Sequence, residues 1–146
     1  MPLQEGSPAP DFSLKSTDGS TVQLSRFKGK KNVVVYFYPK DDTPGCTKEA
    51  CSFRDDLSQL LAKDTIVLGV SVDDTNSHKA FTEKFNLNFP LLSDIGGDVS
   101  KAYDAFRPEK GNSARVTAII DKEGKIKKYI APVNPEGHSK EVLSYL

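Results

Sequence analysis

The sequence predicts an α/β domain in which a central mixed sheet is flanked by helices. Three apolar runs rich in β-branched residues, at 33–38, 66–72 and 116–120, are typical of buried strands. Amphipathic segments follow the first and second runs, and the order strand, helix, strand, helix favours right-handed crossover connections. No internal repeat or low-complexity linker divides the chain, so we expect a single domain over residues 1–146.

The first half of the chain predicts a hairpin, a buried strand and a long helix. Asp18-Gly19 is a strong turn signal within 11–24 and predicts an N-terminal β-hairpin. The run 33–38 is continuous rather than alternating, and Pro39 is predicted to end this strand. The helix that follows is predicted from an apolar stripe with spacings of three and four, formed by Ala50, Phe53, Leu57 and Leu60.

The second half predicts two more helices and a second hairpin. A helical pattern follows the run 66–72 and is predicted to end near Asn86. The run 116–120 is predicted to turn at 121–124 into an antiparallel strand over 125–131. Pro135 is predicted to begin a final short helix that reaches Leu146.

Charge and hydropathy exclude several classes of partner. Twenty basic and twenty acidic residues cancel, so no net field attracts nucleic acid or an anionic membrane. The basic run 28–31 is predicted to be a solvated turn. The first twelve residues lack the charged and apolar regions of a secretory signal, and no apolar run is long enough to span a membrane. We expect a cytoplasmic protein, or one of an organelle stroma if a transit peptide has been removed.

Both cysteines, Cys46 and Cys51, lie in the stretch YPKDDTPGCTKEACSFRD, which connects the first buried strand to the first long helix. Thr43 is predicted to be the N-cap of this helix, and Pro44 its first residue. Cys46 then lies in the first turn, where unpaired N–H groups and the helix dipole favour a thiolate. It is therefore either a nucleophile or, as an extension of the apolar stripe, a small buried core residue.

Metal and phosphate sites are weaker interpretations of the same sequence. The two cysteines could form a zinc site with His78 and His138, but neither histidine has a partner at ligand spacing. We therefore expect no metal, and we expect both histidines to be surface residues at helix starts. Gly96-Gly97 lacks the other residues of a phosphate loop and is predicted to be a turn that leads into a helix.

The residues Pro39, Thr43 and Cys46 reproduce the Pro-x-x-x-Thr/Ser-x-x-Cys signature of peroxiredoxins. The stretch YPKDDTPGCTKEACSFRD resembles the bacterioferritin comigratory protein/peroxiredoxin Q branch, and the likeness extends from Ala9-Pro10-Asp11-Phe12 through 91–94 to Ile120-Asp121. The resemblance implies a thioredoxin-like fold. It also implies reduction of hydrogen peroxide and organic hydroperoxides by a thiol, without a haem, metal or flavin cofactor.

The resemblance also implies roles for five residues. Cys46 would be the peroxidatic cysteine, whose thiolate attacks the peroxide and becomes a sulfenic acid. Thr43 would offer its hydroxyl to the thiolate and the peroxide, whereas without the resemblance it indicates only a helix cap. Pro39 would shield the site from water, whereas without the resemblance it indicates only the end of a strand. Arg115 matches the arginine opposite the cysteine, whereas alone it indicates a surface ion pair. Glu49 either holds that arginine or is a solvated glutamate of the first turn.

In this branch Cys51 would be the resolving cysteine, whereas alone it indicates an inert helix residue off the apolar stripe. On a continuous helix the Cα atoms of residues 46 and 51 are roughly 8.6 Å apart. Disulfides do not form beyond about 7 Å without backbone movement, so the first turns of the helix would have to unwind. Gly45, Thr47 and Ser52 are weak helix formers that make this segment easy to open. Thioredoxin or a similar dithiol would then reduce the disulfide.

Two further segments bear on assembly and specificity. The stretch 104–113 is shorter than we expect for the branch, and it is predicted to help frame the site. No long C-terminal arm with a resolving cysteine follows, so we expect a monomer.

Two other classes use the same fold. A thioredoxin-type dithiol-disulfide oxidoreductase would show Cys-x-x-Cys, which is absent here, and a non-enzymatic binding module would need neither Thr43 nor Arg115.

Overall fold

Nine strands and four α-helices make up residues 3–146, the part of the chain that the computed structural model describes. In chain order they are β1 (Ser13–Ser16), β2 (Thr21–Gln23), β3 (Asn32–Phe37), α1 (Pro44–Leu61), β4 (Thr65–Ser71), α2 (Thr75–Phe85), β5 (Leu91–Ser93), α3 (Asp98–Ala102), β6 (Phe106–Arg107), β7 (Asn112–Ser113), β8 (Val116–Ile120), β9 (Ile126–Ile130) and α4 (His138–Ser144). A 3-10 helix, Leu24–Phe27, precedes β3. Residues 1 and 2 of the predicted domain lie outside the described residues.

Seven of the strands form one mixed sheet, in the order β2-β1-β5-β4-β3-β8-β9. The central strands β3, β4 and β5 are parallel, and β1 and β8 run antiparallel to the strands beside them. Strands β1 and β2 form the predicted N-terminal hairpin, and β8 and β9 form the predicted second hairpin. The α/β class and the mixed sheet are therefore confirmed.

Strand β3 is buried on both faces, as its continuous apolar run predicts. Its alternate residues Val34 and Tyr36 pack with α1 and α4, whereas Val33 and Phe37 pack on the opposite face of the sheet. The predicted stripe of α1 is buried in full, and Phe53 stacks on Tyr36 with ring centroids 4.8 Å apart. This packing fixes the direction in which α1 leaves the end of β3.

The short strands β5, β6 and β7 are absent from the sequence-based prediction, because strands of two or three residues carry too little pattern to be recognised. The predicted start of the last helix is also wrong, since α4 begins at His138 rather than at Pro135. The backbone N–H of Glu136 donates to Asn134 Oδ1, and Gly137 has a φ of 72°. These residues therefore form a turn, and only then does the chain become helical.

The prediction that both histidines lie on the surface is wrong. His78 is 0% exposed, and its ring nitrogens lie 2.7 Å from Asp41 Oδ2 and 3.0 Å from the Leu92 carbonyl oxygen. His138 is 1% exposed, and its Nε2 lies 2.8 Å from Thr117 Oγ1. Burial is possible because each ring finds polar partners inside the fold.

Two predicted turns are confirmed. Residues 28–30 form an exposed turn before β3, and Gly97, with a φ of 81°, is the N-cap of α3.

Within residues 3–146, no helix is both long enough and apolar enough to span a membrane.

Candidate active site

The loop from β3 into α1 places the predicted signature at the carboxyl end of the sheet. α1 begins at Pro44, with Thr43 at its N-cap, as predicted. The Thr43 hydroxyl donates to the Lys40 carbonyl oxygen at 2.9 Å, and it makes no capping bond to the described first turn of α1. The hydroxyl therefore braces the loop between Pro39 and the helix.

Cys46 lies in the first turn of α1 and is 1% exposed. Cys46 also belongs to the apolar cluster beneath α1. It is therefore both a buried core residue and a residue of the helix N-terminus, so the two interpretations describe the same position. Cys51 is half-buried on the second turn. Both thiols are free, and α1 is continuous from Pro44 to Leu61, so the helical separation assumed for the two cysteines holds in this state.

Arg115 reaches this turn from the strand beside β3. The register pairs Phe37 with Val116, so the residue before β8 lies next to the end of β3. A Cβ built on Gly45 would lie 2.4 Å from Arg115 Nη2, which shows that the guanidinium rests directly on the first turn of α1. Its side chain is 23% exposed. The structure thus brings Arg115 beside the turn that carries Cys46, and its ion pair is with the buried Glu49 rather than with a surface group.

Glu49 is fully buried, and the interpretation of it as a solvated glutamate is wrong. Its Oε1 lies 3.4 Å from Arg115 Nη1, whereas Oε2 has no hydrogen-bond partner among the described residues. Oε2 lies 4.0 Å from His138 Nε2. Burial raises the pKa of Glu49 to about 8, although the charge of Arg115 acts in the opposite direction.

His138 is a residue of this site that sequence reasoning missed. Its Nε2 lies 2.8 Å from the Thr117 hydroxyl oxygen, and its Nδ1 lies 3.1 Å from Oε1 of Glu141. Burial lowers the pKa of His138, and the partly exposed Glu141 only partly offsets that effect. A single histidine at a helix start does not reveal which face packs inward, so the sequence carries no signal for it.

A second buried network braces the loop from the α2 side. Asp41 accepts from the Tyr38 hydroxyl at 2.6 Å and from Ser77 Oγ at 2.8 Å, and it lies against His78. Asp41, Asp73 and His78 offer three possible metal-ligand atoms within 4.8 Å of one another. Those atoms are engaged by neighbouring hydroxyl, amide and ring groups, so the geometry is that of a loop brace.

A cavity of about 670 Å³ opens at this end of the sheet. It is lined by Pro39, Asp104, Arg107, Ala114, Arg115, Val116, Ala131, Pro132 and Val133. The segment 104–113 contributes to these walls, as predicted, and it contains the small β6–β7 sheet. Arg115 therefore lies between an open cavity and the turn that holds the cysteine.

If Cys46 reacts with peroxide as the resemblance implies, Gly45→Ala should slow that reaction by at least about tenfold. The new Cβ would stand 2.4 Å from Arg115 Nη2, closer than atoms can approach, so the guanidinium must leave its place on the first turn of α1. Helix propensity itself favours alanine over glycine by about 1 kcal/mol. We expect steady-state kinetics to show the loss without unfolding, while Thr47→Ala in the same turn keeps nearly full activity. An active Gly45→Ala enzyme would contradict this placement of Arg115.

Comparisons with known proteins agree with this geometry. The AhpC/TSA family matches residues 6–129. A Coxiella burnetii protein named as a peroxiredoxin bcp is 43% identical over 152 residues, with 100% of both chains covered. The chloroplastic peroxiredoxin Q of Suaeda salsa is 46% identical over 149 residues, covering 99% of this chain and 68% of that protein. The Xanthomonas campestris bacterioferritin comigratory protein has a solved structure with a TM-score of 0.88 and 30% identity, covering 97% of this chain and 96% of that one.

The structural likeness confirms the thioredoxin-like fold that the resemblance implies. The matches also span the loop, the cysteines and the strand that follows Arg115. The chain belongs to the AhpC/TSA family and, within it, to the bacterioferritin comigratory protein/peroxiredoxin Q branch, and it is a thiol-dependent peroxidase.

Proposed function

We propose that Cys46 is the residue at which this peroxidase reduces hydrogen peroxide and organic hydroperoxides. The observation that carries the proposal is the contact of the Arg115 guanidinium with the first turn of α1 at Gly45. That contact places a permanent positive charge and the helix N-terminus around one cysteine. Mixing the reduced protein with one equivalent of peroxide tests the proposal, since the thiols should be lost at an enzymatic rate.

The reaction requires charge to move from sulfur to oxygen. The Cys46 thiolate attacks the terminal peroxide oxygen, so an S–O bond forms while the O–O bond breaks, and the alkoxide or hydroxide that leaves takes up a proton. Arg115 stabilises the negative charge on both sides of this step. Thr43 redirects its hydroxyl from the Lys40 carbonyl to the peroxide, and Pro39 covers the site from the cavity wall.

The cavity favours substrates larger than hydrogen peroxide. Its volume of about 670 Å³ exceeds what two oxygen atoms need, and alanine, proline and valine form much of its wall. An alkyl group bound there would bury apolar surface, which contributes about 25 cal/mol for each Å². The Xanthomonas campestris relative is described for its alkyl peroxide reduction activity, which supports the same preference here.

Cys51 is proposed to resolve the sulfenic acid by forming a disulfide with Cys46. The structure suggests where α1 would open. From Phe53 onward the helix is held by its ring stack on Tyr36, by the Arg54 bond to the Phe85 carbonyl, and by bonds from Ser139 and Lys140 to Asp56. We therefore propose that residues 44–52 unwind while the rest of α1 stays in place.

The remaining partners follow from this cycle. A disulfide exposed by an unwound segment suits a small dithiol protein of the thioredoxin type. We propose that the protein works as a monomer, because Cys46 and Cys51 both come from one chain. The plant relative is named as chloroplastic, and the location of this chain, cytoplasm or stroma, stays a prediction.

Cys51→Ser should consume the first equivalent of peroxide at nearly the wild-type rate and then stop turning over with thioredoxin. The reason is that the sulfenic acid at Cys46 has no resolving thiol, so further peroxide drives it to the sulfinic acid. Stopped-flow kinetics and intact mass measure both effects. Sustained turnover of this variant would contradict the role of Cys51, as would an oxidised wild type in which amide exchange over residues 44–52 is unchanged.

A further inference from the structure

Glu49 lies in the chain between the two cysteines, three residues after Cys46 and two before Cys51. Its side chain is 0% exposed. One carboxyl oxygen has a single long contact with Arg115, and the other has no hydrogen-bond partner within residues 3–146. A carboxylate that gives up water normally gains several hydrogen bonds or a close cation, and Glu49 gains little of either.

The groups around Glu49 come from four elements. Cys46 shares α1, Tyr36 faces it from β3, Arg115 reaches it from the residue before β8, and His138 reaches it from α4. The pKa of the Tyr36 hydroxyl is raised well above its ordinary value, first by burial and then by Glu49 and Cys46. His138 is neutral at physiological pH because burial lowers its pKa, and the Glu141 carboxylate lies on the opposite, exposed side of that ring. Arg115 is thus the one fixed cation beside Glu49 among the described residues.

We propose that Glu49 is a redox-linked proton carrier of the catalytic cycle, which holds a proton while α1 is closed and releases it when α1 unwinds to form the disulfide. The inference rests on the proposed resolution by Cys51. A Cys46–Cys51 bond must bring two Cα atoms from roughly 8.6 Å to below about 7 Å. The residues between them therefore change conformation. Glu49 leaves Arg115 and His138 and enters water.

The chemical balance of the step has two parts. The sulfenic acid of Cys46 and the thiol of Cys51 form a disulfide and one water molecule, with no net proton. Glu49 passes from carboxylic acid to carboxylate, which adds one proton to the solvent. When a dithiol reductant restores the two thiols and α1 closes again, Glu49 takes one proton back.

This transfer makes the disulfide equilibrium depend on pH in a defined window. In the closed enzyme the pKa of Glu49 is raised to about 8, whereas an exposed glutamate has 4.5. Below 4.5 the group is protonated in both forms, and above about 8 it is ionised in both. Between these values only the closed form holds the proton, so each unit of rising pH favours the open disulfide form by about tenfold.

Replacing Glu49 with glutamine should remove this dependence, since an amide resembles the protonated acid but cannot release a proton. We expect the midpoint potential of the Cys46–Cys51 couple, measured against a dithiol buffer, to fall with pH more steeply in the wild type than in Glu49→Gln. The tenfold change per pH unit corresponds to a difference in slope of about 30 mV per pH unit. Glu83→Gln, which removes an exposed glutamate of α2, should keep the wild-type slope. Equal slopes in the wild type and Glu49→Gln would overturn the inference.

A second measurement uses the wild type alone and does not depend on how the variant folds. Carboxyl NMR should show a glutamate that titrates near pH 8 in the reduced protein and near 4.5 in the disulfide form. The same titration midpoint in both redox states would contradict the proton carrier. Mass spectrometry separates the two levels of failure. An oxidised protein without the Cys46–Cys51 bond overturns the resolution step itself, whereas a protein with that bond and equal slopes overturns only the role of Glu49.

Discussion

Cys46→Ser is expected to abolish peroxide reduction while leaving the fold intact. A serine hydroxyl is ionised far less readily than a thiol, so the variant has no nucleophile for the O–O bond. Cys46 is 1% exposed, and a buried hydroxyl without a partner costs about 1–3 kcal/mol. That cost is below the 5–15 kcal/mol by which a typical domain is stable. Loss of peroxide, followed with purified protein and thioredoxin, should fall to the uncatalysed rate.

The matched control for this prediction is Cys51→Ser, which removes the other thiol of the same helix. It should still react once with peroxide, whereas Cys46→Ser should not react at all. Circular dichroism and thermal unfolding should show that both variants fold. If Cys46→Ser keeps most of the single-turnover rate, the nucleophile is another group and the proposed mechanism is wrong.

Arg115→Ala is expected to slow the reaction with peroxide by about 10²–10³-fold. Arg115 acts here like an oxyanion-hole donor, and the loss of one such fixed donor costs about 2.7–4 kcal/mol in the transition state. Arg115 lies on the first turn of α1 and contacts Glu49, so its removal takes a fixed positive charge away from the turn that carries Cys46. Stopped-flow kinetics of the reduced protein with peroxide measures the loss.

Two variants separate the position of Arg115 from the mere presence of a guanidinium. Arg107 also lines the cavity, but it donates to Asn112 Oδ1, so Arg107→Ala should cost less than tenfold. Arg115→Lys keeps a positive charge but loses the planar fork, and it should fall between the wild type and Arg115→Ala. Equal losses for Arg107→Ala and Arg115→Ala would show that the cavity needs positive charge in general rather than this arginine.

The buried networks explain why the loop before α1 can hold a reactive geometry. Asp41 ties Tyr38 and Ser77 together, and so joins the end of β3 to the start of α2. The Thr43 hydroxyl adds a bond across the turn to Lys40. A loop held in this way stays in place up to Thr43, so residues 44–52 can return to the same helix start after the proposed opening.

The sequence by itself determined the features that depend on local signals. Hydrophobic runs predicted β3, β4 and β8, and the apolar stripe predicted the buried face of α1. Thr43 and Pro44 predicted the first turn of α1, because capping residues act on their own helix. The position of Cys46 in that turn was therefore available from a few neighbouring residues.

Only the tertiary structure decided which distant side chains meet at that turn. Glu49 and Arg115 are 66 positions apart, and their contact depends on the pairing of β8 with β3. The buried place of His138 depends on how α4 packs against α1, which no periodicity in a seven-residue helix specifies. Charge, burial and pKa are properties of the surroundings rather than of the residue. For that reason the sequence left Glu49 either as a partner of Arg115 or as a solvated glutamate, and only the fold shows that it is a buried acid beside Arg115.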